Sequence, residues 1–426
     1  MFGLILLCVG IYFFIKITKE KRDLALVSAS SDGNLDRIKY LIKKGADVNA
    51  KNEYGWNALI SASYKGHLGV VKYLIIKGSE LNARDNKFGW TALIWASHAG
   101  HLDVVKYLIE NGAAVNARDK SGGTALMNAD RFDIVKYLVE KGADVNVKND
   151  KDWTVLMIAS YQGILQEVKY LTENGADVNA KDKYGETALM MASRKGKLNV
   201  VKYLIEKGAV VNAKTKDNWT DSLVPYDDSG THETNNGWTA LMMASRKGKL
   251  DVVKYLIEKG ADINTESKYG ETALKMASKG GHLDVVKYLI EKGAVVNAYC
   301  IGWTALIWAS EEGHLDVVKY LIEKGAAVNA KGKYGTTETA LIRASKRGQL
   351  DVVKYLIEKG ADVNAKDNYG DTALMCASER HIDVVKYLIE KGADVNVKNN
   401  YGTTALRMAS LHSEIVTELK KAGAKE

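Results

Sequence analysis

The stretch TALMMASRKGKLNVVKYLIEKGA, Thr187 to Ala209, returns at Thr239 to Ala261 with one change, Asn199 becoming Asp251. Such agreement inside one chain is internal duplication, and the rest of the sequence can be laid on the same template. Threonines that open successive units stand at Thr91, Thr124, Thr154, Thr187, Thr239, Thr272, Thr304, Thr339, Thr372 and Thr404, mostly 30 to 35 residues apart. The wide gap is Thr187 to Thr239. Within a unit, Thr91 can cap a short helix in which Leu93, Ile94 and Ala96 recur at helical spacing up to Gly100. A second helical run, Leu102, Val104, Val105, Leu108 and Ile109, stops at Gly112, where a left-handed residue commonly ends a helix. Between units lies polar turn chemistry such as DVNAKDNYG, Asp362 to Gly370.

A pair of helices two or three turns long cannot bury both faces by itself, so neighbouring units must stack into one continuous core. The expected fold is an all-α solenoid of helix-loop-helix units joined by β-hairpin-like turns. The bulk numbers agree: 426 residues with 46% apolar and 26% charged side chains can bury a core, while one proline and five phenylalanines reflect a copied unit. The net charge of +8 comes from 60 basic and 52 acidic residues spread along the chain, which is a poor basis for nucleic-acid binding. Cys8, Cys300 and Cys376 lie too far apart for a zinc spacing or a disulfide framework.

The segment GWTALIWASHAGHLDVVKYLI from Gly89, with GAAVNA from Gly112, resembles the ankyrin repeat, and the likeness extends from Leu24 to Ala424. One departure is systematic: the T-P-L-H of that family is here T-A-L followed by Met, Ile, Lys or Arg. The resemblance implies a binding scaffold, without turnover, whose concave face is lined by turn tips and first helices. The expected organisation is a membrane anchor with basic flank (1–22), an N-terminal capping repeat (23–50), repeats (51–213), an acidic loop insertion (214–236), repeats (237–403) and a C-terminal capping repeat (404–426). The caps are read from the missing threonine in the first unit and from Thr417 and Glu418 replacing the Lys-Tyr pair in the last. Units shorten around MNADRF, Met127 to Phe132, and by one residue near Arg380, and gain loop residues at Tyr334 to Glu338.

Met1 to Ile15, MFGLILLCVGIYFFI, carries no charge and is followed by KITKEKR. As a helix it would reach about 22 Å against about 30 Å of hydrocarbon, a shortfall that snorkelling by Lys16 and Lys19 reduces. No positive charge precedes the run and no small-residue cleavage site follows it, so an uncleaved single N-terminal hydrophobic helix is expected. The basic flank then places the repeats on the cytoplasmic side. A hydrophobic helix packed on the first repeat is the other reading of this segment. An export signal, with the protein secreted as an effector, is a third.

Aromatic residues recur in the turns, and the expected partner-binding set is Trp56, Phe88, Trp90, Trp153, Tyr184, Trp238, Tyr269, Trp303, Tyr334 and Tyr369. Trp and Tyr desolvate much area with few rotatable bonds, which suits interface anchors; the same rings could instead pack on the next turn and stiffen the stack. The residue before the threonine alternates between Trp and an acid (Glu186, Glu271, Glu338, Asp371), which suggests a surface position, whereas Trp95 and Trp308 fall inside the first helix and are expected in the core. The insertion, with Pro225, Trp219, Tyr226 and five acids, reads as an extended or disordered loop.

Eleven units carry a Lys-Tyr pair in the second helix, from Lys39 and Tyr40 to Lys386 and Tyr387. Acids such as Asp251 and Glu258 around Lys254 neutralise that row, which points to packed tyrosines under solvated lysines. His67, His98, His101, His282, His314 and His381 sit at the inter-helix turn, one per repeat at most of their sites, too dispersed to meet on one metal ion. With no phosphate loop, zinc helix or nucleophile elbow, the sequence gives no reason to expect catalysis, a cofactor, a metal, a nucleic acid or a small-molecule substrate. A protein partner, and the membrane through residues 1–15, are the expected contacts. A mechanical spacer without a dedicated partner is the competing reading.

Overall fold

The threonine that opens a repeat does so by capping. Wherever a first helix follows it, its backbone is extended and its Oγ1 accepts from the amide three residues on, as Thr304 does from Ile307 at 3.2 Å and Thr91 from Ile94 at 3.4 Å. Asn57 does the same for Ile60 at 2.8 Å. The computed structural model describes residues 18–216, 236–298, 302–332 and 337–425. Met1 to Ile15, Pro225, Trp219, Tyr226 and Tyr334 therefore lie outside the described residues. No helix among those described is long and apolar enough to cross a membrane.

The chain divides into two compact bodies, Met1–Lys183 and Tyr184–Glu426. In the N-terminal body, α1 (18–31) and α2 (Leu35–Lys43) come before α3 (Ala58–Lys65) and α4 (Leu68–Ile76). They are followed by α5 (Ala92–His98), α6 (Leu102–Glu110), α7 (Phe132–Glu140), α8 (Val155–Gln162) and α9 (Leu165–Glu173). First helix α3 packs on α5, and the second helices form a row α4, α6, α7, α9.

In the C-terminal body the first helices are α10 (Ala188–Arg194), α12 (Ala240–Arg246), α14 (Ala273–Gly280), α16 (Ala305–Glu312), α18 (Ala340–Lys346), α20 (Ala373–Ala377) and α22 (Ala405–Met408). They alternate with second helices α11 (Leu198–Glu206), α13 (Leu250–Glu258), α15 (Leu283–Glu291), α17 (Leu315–Glu323), α19 (Leu350–Glu358), α21 (Ile382–Glu390) and α23 (Ser413–Lys421). Each row packs on itself, first helix on first and second on second. The two rows bury differently. Ala240 to Ser245 are all buried, because α12 has neighbours on nearly every side, whereas α13 buries only the stripe Val252, Val253 and Leu256.

Among the described residues there is no β-strand, and the turns between repeats are hairpin-like; an isolated bridge joins Lys366 and Thr372. Turns close through a backbone bond, as Asp85 N to Trp90 O at 3.0 Å, and through a side-chain oxygen that collects tip amides, from Asp85 and Asn52 in two turns and from the Ser267 hydroxyl in another. Asparagine side chains then tie one repeat to the next. Asn264 accepts from Val295 N at 3.0 Å and donates to Gly293 O at 3.1 Å, and Asn49, Asn116, Asn146, Asn329 and Asn364 repeat the pattern.

At the other end of the helix pair, His101 Nε2 meets the Tyr64 carbonyl of the preceding repeat at 3.0 Å, and His314 meets that of Lys279 at 3.2 Å. These imidazoles explain one demanding glycine position. Gly66 and Gly281 adopt φ of 75° and 71°, and a Cβ on either would stand 2.5 Å from the following histidine ring, so both conformation and space require glycine there. The shortened unit has lost an element outright: after Thr124 residues 125–128 form a turn in place of a first helix. The residue lost near Arg380 leaves α20 with five residues.

Candidate functional site

Residues of turn tips and first helices meet at a few positions. In the N-terminal body these positions gather a cluster of rings. Trp95 lies 4.8 Å from Trp56, 5.1 Å from Tyr64 and 4.6 Å from Trp90, centroid to centroid; Phe88 lies 5.3 Å from Trp90, and His98 5.1 Å from Trp90. Phe88 is 39% exposed, Trp56, Tyr64 and Trp90 are half-buried, and Trp95 is buried. The cluster thus contains three of the expected residues, Trp56, Phe88 and Trp90, and adds Tyr64, which the sequence did not single out, Trp95, expected in the core, and His98, expected as a turn histidine. Trp95 is in the core as expected, but it supports the others from beneath.

The polar ends of the tryptophans point into the stack. Trp90 Nε1 donates to Asp119 Oδ2 at 2.9 Å, Trp153 Nε1 to Asp182 Oδ2 at 3.1 Å, and Trp238 Nε1 to Glu271 Oε2 at 2.5 Å, each acceptor belonging to the following repeat. Where an acid stands before the threonine it accepts instead: Asp371 Oδ1 takes a hydrogen bond from Asn399 Nδ2 of the next turn at 2.8 Å, and Glu186 holds Arg194 through two bonds of 3.1 and 2.8 Å. The alternation of Trp with acid is therefore not the mark of a surface position. Trp238, Glu186 and Glu338 are buried, at 4%, 6% and 3% exposure, and Trp238 is no exposed anchor. Trp153 and Tyr184 are half-buried, Tyr269 and Tyr369 are exposed, and Tyr334 lies outside the described residues.

Trp303 and Trp308 stack at 4.5 Å in the C-terminal body, with the Arg343 guanidinium 3.9 Å over Trp303 and the Lys279 ammonium 4.3 Å over Trp308. Trp308, expected in the core, is half-buried and forms a wall of a pocket of about 180 Å³ together with Tyr269, Glu271, Lys275 and Trp303. Lys275 is 3% exposed at a position that is apolar in most repeats, and its ammonium donates to Gly270 O at 2.8 Å. Beside it Arg343 bridges two buried carboxylates, Glu311 at 2.6 Å and Glu338 at 3.2 Å, and Arg347 adds a second bond to Glu311. Removing one member of such a set would strand buried charge.

The Lys-Tyr row is organised more tightly than charge alternation suggests. Tyr320 lies between Lys287 of the preceding repeat, 5.6 Å away, and its own Lys324, 5.4 Å away, and Tyr355 lies likewise between Lys319 and Lys359. These lysines cover rings, which gives that face a role in stacking. Burial pushes the Cys376 thiol up to about 12, so it stays protonated and unreactive. Among the described residues no group of His, Cys, Asp or Glu could hold a metal ion.

Tandem helix pairs, capped by threonine and tied by asparagine, with turn tips beside first helices, define a tandem-repeat protein. The family model for ankyrin repeats in three copies matches residues 82–149, 132–215, 219–300, 264–332, 298–367, 328–399 and 367–425, and that for many copies matches 26–75. The chain belongs to the ankyrin-repeat family. Proteins of this family are in general non-catalytic modules that bind protein partners. A crystal structure of the human ASB11 ankyrin repeat domain is similar at 25% identity, covering 57% of this chain and 100% of its own, with a TM-score of 0.48. No curated protein matches the chain.

Proposed function

We propose that this protein is a non-enzymatic scaffold that grips a protein partner through its turn tips and first helices and is tethered to a membrane by Met1 to Ile15, with the repeats on the cytoplasmic side. The observation that carries the binding reading is the ring cluster around Trp90: aromatic area held rigid on one face, with Phe88 open to solvent. The uncharged run MFGLILLCVGIYFFI and the basic KITKEKR behind it support the tether. A spacer without a dedicated partner is favoured by one observation, the indole bonds that join consecutive repeats.

Two measurements test these parts. Protease accessibility of the repeats in intact and permeabilised cells, with N-terminal mass spectrometry, should show cleavage only after permeabilisation and an intact Met1 to Ile15. Trimmed ends with repeats accessible from outside would replace the tether by export. Proximity labelling in the same cells should lose specific partners when the exposed rings are removed by Phe88→Ser and Tyr369→Ser. An unchanged partner set would leave the spacer.

A further inference from the structure

The ring cluster of the N-terminal body stands inside a basic margin, and we propose that it seats an acidic segment of a partner protein, which lays one large apolar side chain on the rings. This rests on the scaffold reading above and specifies its ligand. Three features of the face define that ligand.

The first is polarity. Trp90 and Trp95 spend their only donors inward, on Asp119 Oδ2 at 2.9 Å and Asp85 Oδ2 at 2.8 Å, so the indoles offer carbon to whatever approaches. The carboxylates are spent as well. Asp85 Oδ1 accepts from Phe88 N and Gly89 N, and Asp119 Oδ1 from Ser121 N and Gly123 N.

The second is charge. Along 51–65, 84–99 and 118–124, which hold the three turn tips and two first helices of the cluster, the cations are Lys51, Lys65, Arg84, Lys87, Arg118 and Lys120. The acids are Glu53 and the two committed aspartates. Lys65 stands 5.0 Å over the Tyr64 ring and Lys87 4.7 Å over Phe88, while Lys51 and Lys120 donate to Arg84 O and Asn86 O at 3.1 and 2.6 Å. Rings and carbonyls orient these cations without cancelling their charge, and six cations against three acids leave these segments net positive, so the margin attracts carboxylates and repels a basic segment.

The third is ring geometry. Trp56, Tyr64 and Trp95 cross at 55° to 75°, so no two of these rings lie parallel to sandwich a nucleobase. A branched aliphatic or aromatic side chain can lie on the exposed ring of Phe88, and little rearrangement is needed because that ring is already packed on Trp90.

The test uses the full chain and a dye-labelled peptide of Asp and Glu around one central leucine. A matched peptide of Lys and Arg and a single-stranded DNA oligonucleotide of equal length serve as comparisons. Binding of the acidic peptide should weaken as salt rises and fall by about tenfold in Lys65→Glu with Lys87→Glu, and again in Phe88→Ser. All three positions are exposed, so the fold survives these changes. Stronger binding of the basic peptide, equal competition by the oligonucleotide, or acidic binding indifferent to the substitutions would overturn the assignment. If acidic binding fails while cellular partners still depend on Phe88, only this ligand falls; partners indifferent to Phe88 and Tyr369 would take the scaffold reading with it.

Discussion

His282 donates from Nε2 to the Arg246 carbonyl at 3.0 Å, and burial holds its imidazole below the ordinary histidine range. A folded value below the unfolded one means that the neutral ring is what the fold accepts. Its contribution is complete above the usual imidazole value of about 6.5 and is lost as pH falls through the lowered one. Thermal melts should therefore lose stability on acidification through that window. His282→Gln should flatten the loss, because Gln349 fills the same place in another repeat and donates to Glu311 O at 3.3 Å; an unaltered pH slope would show that His282 is not the sensitive group. At this scale much was readable in the sequence. The threonine caps follow from side-chain chemistry inside one unit, and the structural histidines from their recurrence at one turn position, although each bonds the repeat before it. The role of the residue before the threonine did not follow, because comparing Trp90, Glu186 and Trp238 column by column compares residues that never meet. Each is instead matched to a partner in another column, Asp119, Arg194 or Glu271.

Between elements, the asparagine bridges carry the seam that apolar packing leaves to the turns. Asn264→Ala removes one accepted and one donated bond to the next repeat and should cost about 1–2 kcal/mol, measured by urea unfolding. A loss no larger than that of an exposed Lys→Ala control would mean that water replaces both bonds without penalty. The helices themselves were legible from the pattern, with one physical limit. Second helices such as α13 bury a stripe and so display helical periodicity, while α12 is buried all round and shows little. The sequence thus could not tell which first-helix tryptophan would reach solvent: Trp95 sits under Phe88 and Trp90, whereas Trp308 borders a pocket. The missing first helix after Thr124 was visible only as a shortened unit. MNADRF has too few residues to make two turns and still reach α7 at Phe132.

Across the molecule, a stack of repeats gains stability from each unit and from each seam between units, so the weakest unit decides where it opens. In the N-terminal body that unit is the one with a turn at 125–128. Amide exchange there should run faster than across α12 (Ala240–Arg246), the first helix of a full-length repeat, and mass-resolved exchange would report it; equal protection would mean that the neighbouring repeats hold the turn as firmly as a helix. The indole and carboxylate pairs have a different consequence. Two repeats here differ at one position from Thr187 to Ala209, yet the residues that introduce them, Glu186 and Trp238, ask for opposite things: one needs a cation, the other an acceptor beyond its own boundary. A Trp-led unit moved ahead of a repeat without that acceptor would leave its indole donor unmet, whereas Glu186 carries its own cation, Arg194, with it. The array thus has a grammar of succession written in hydrogen-bond polarity, and near-identical copies are not interchangeable words.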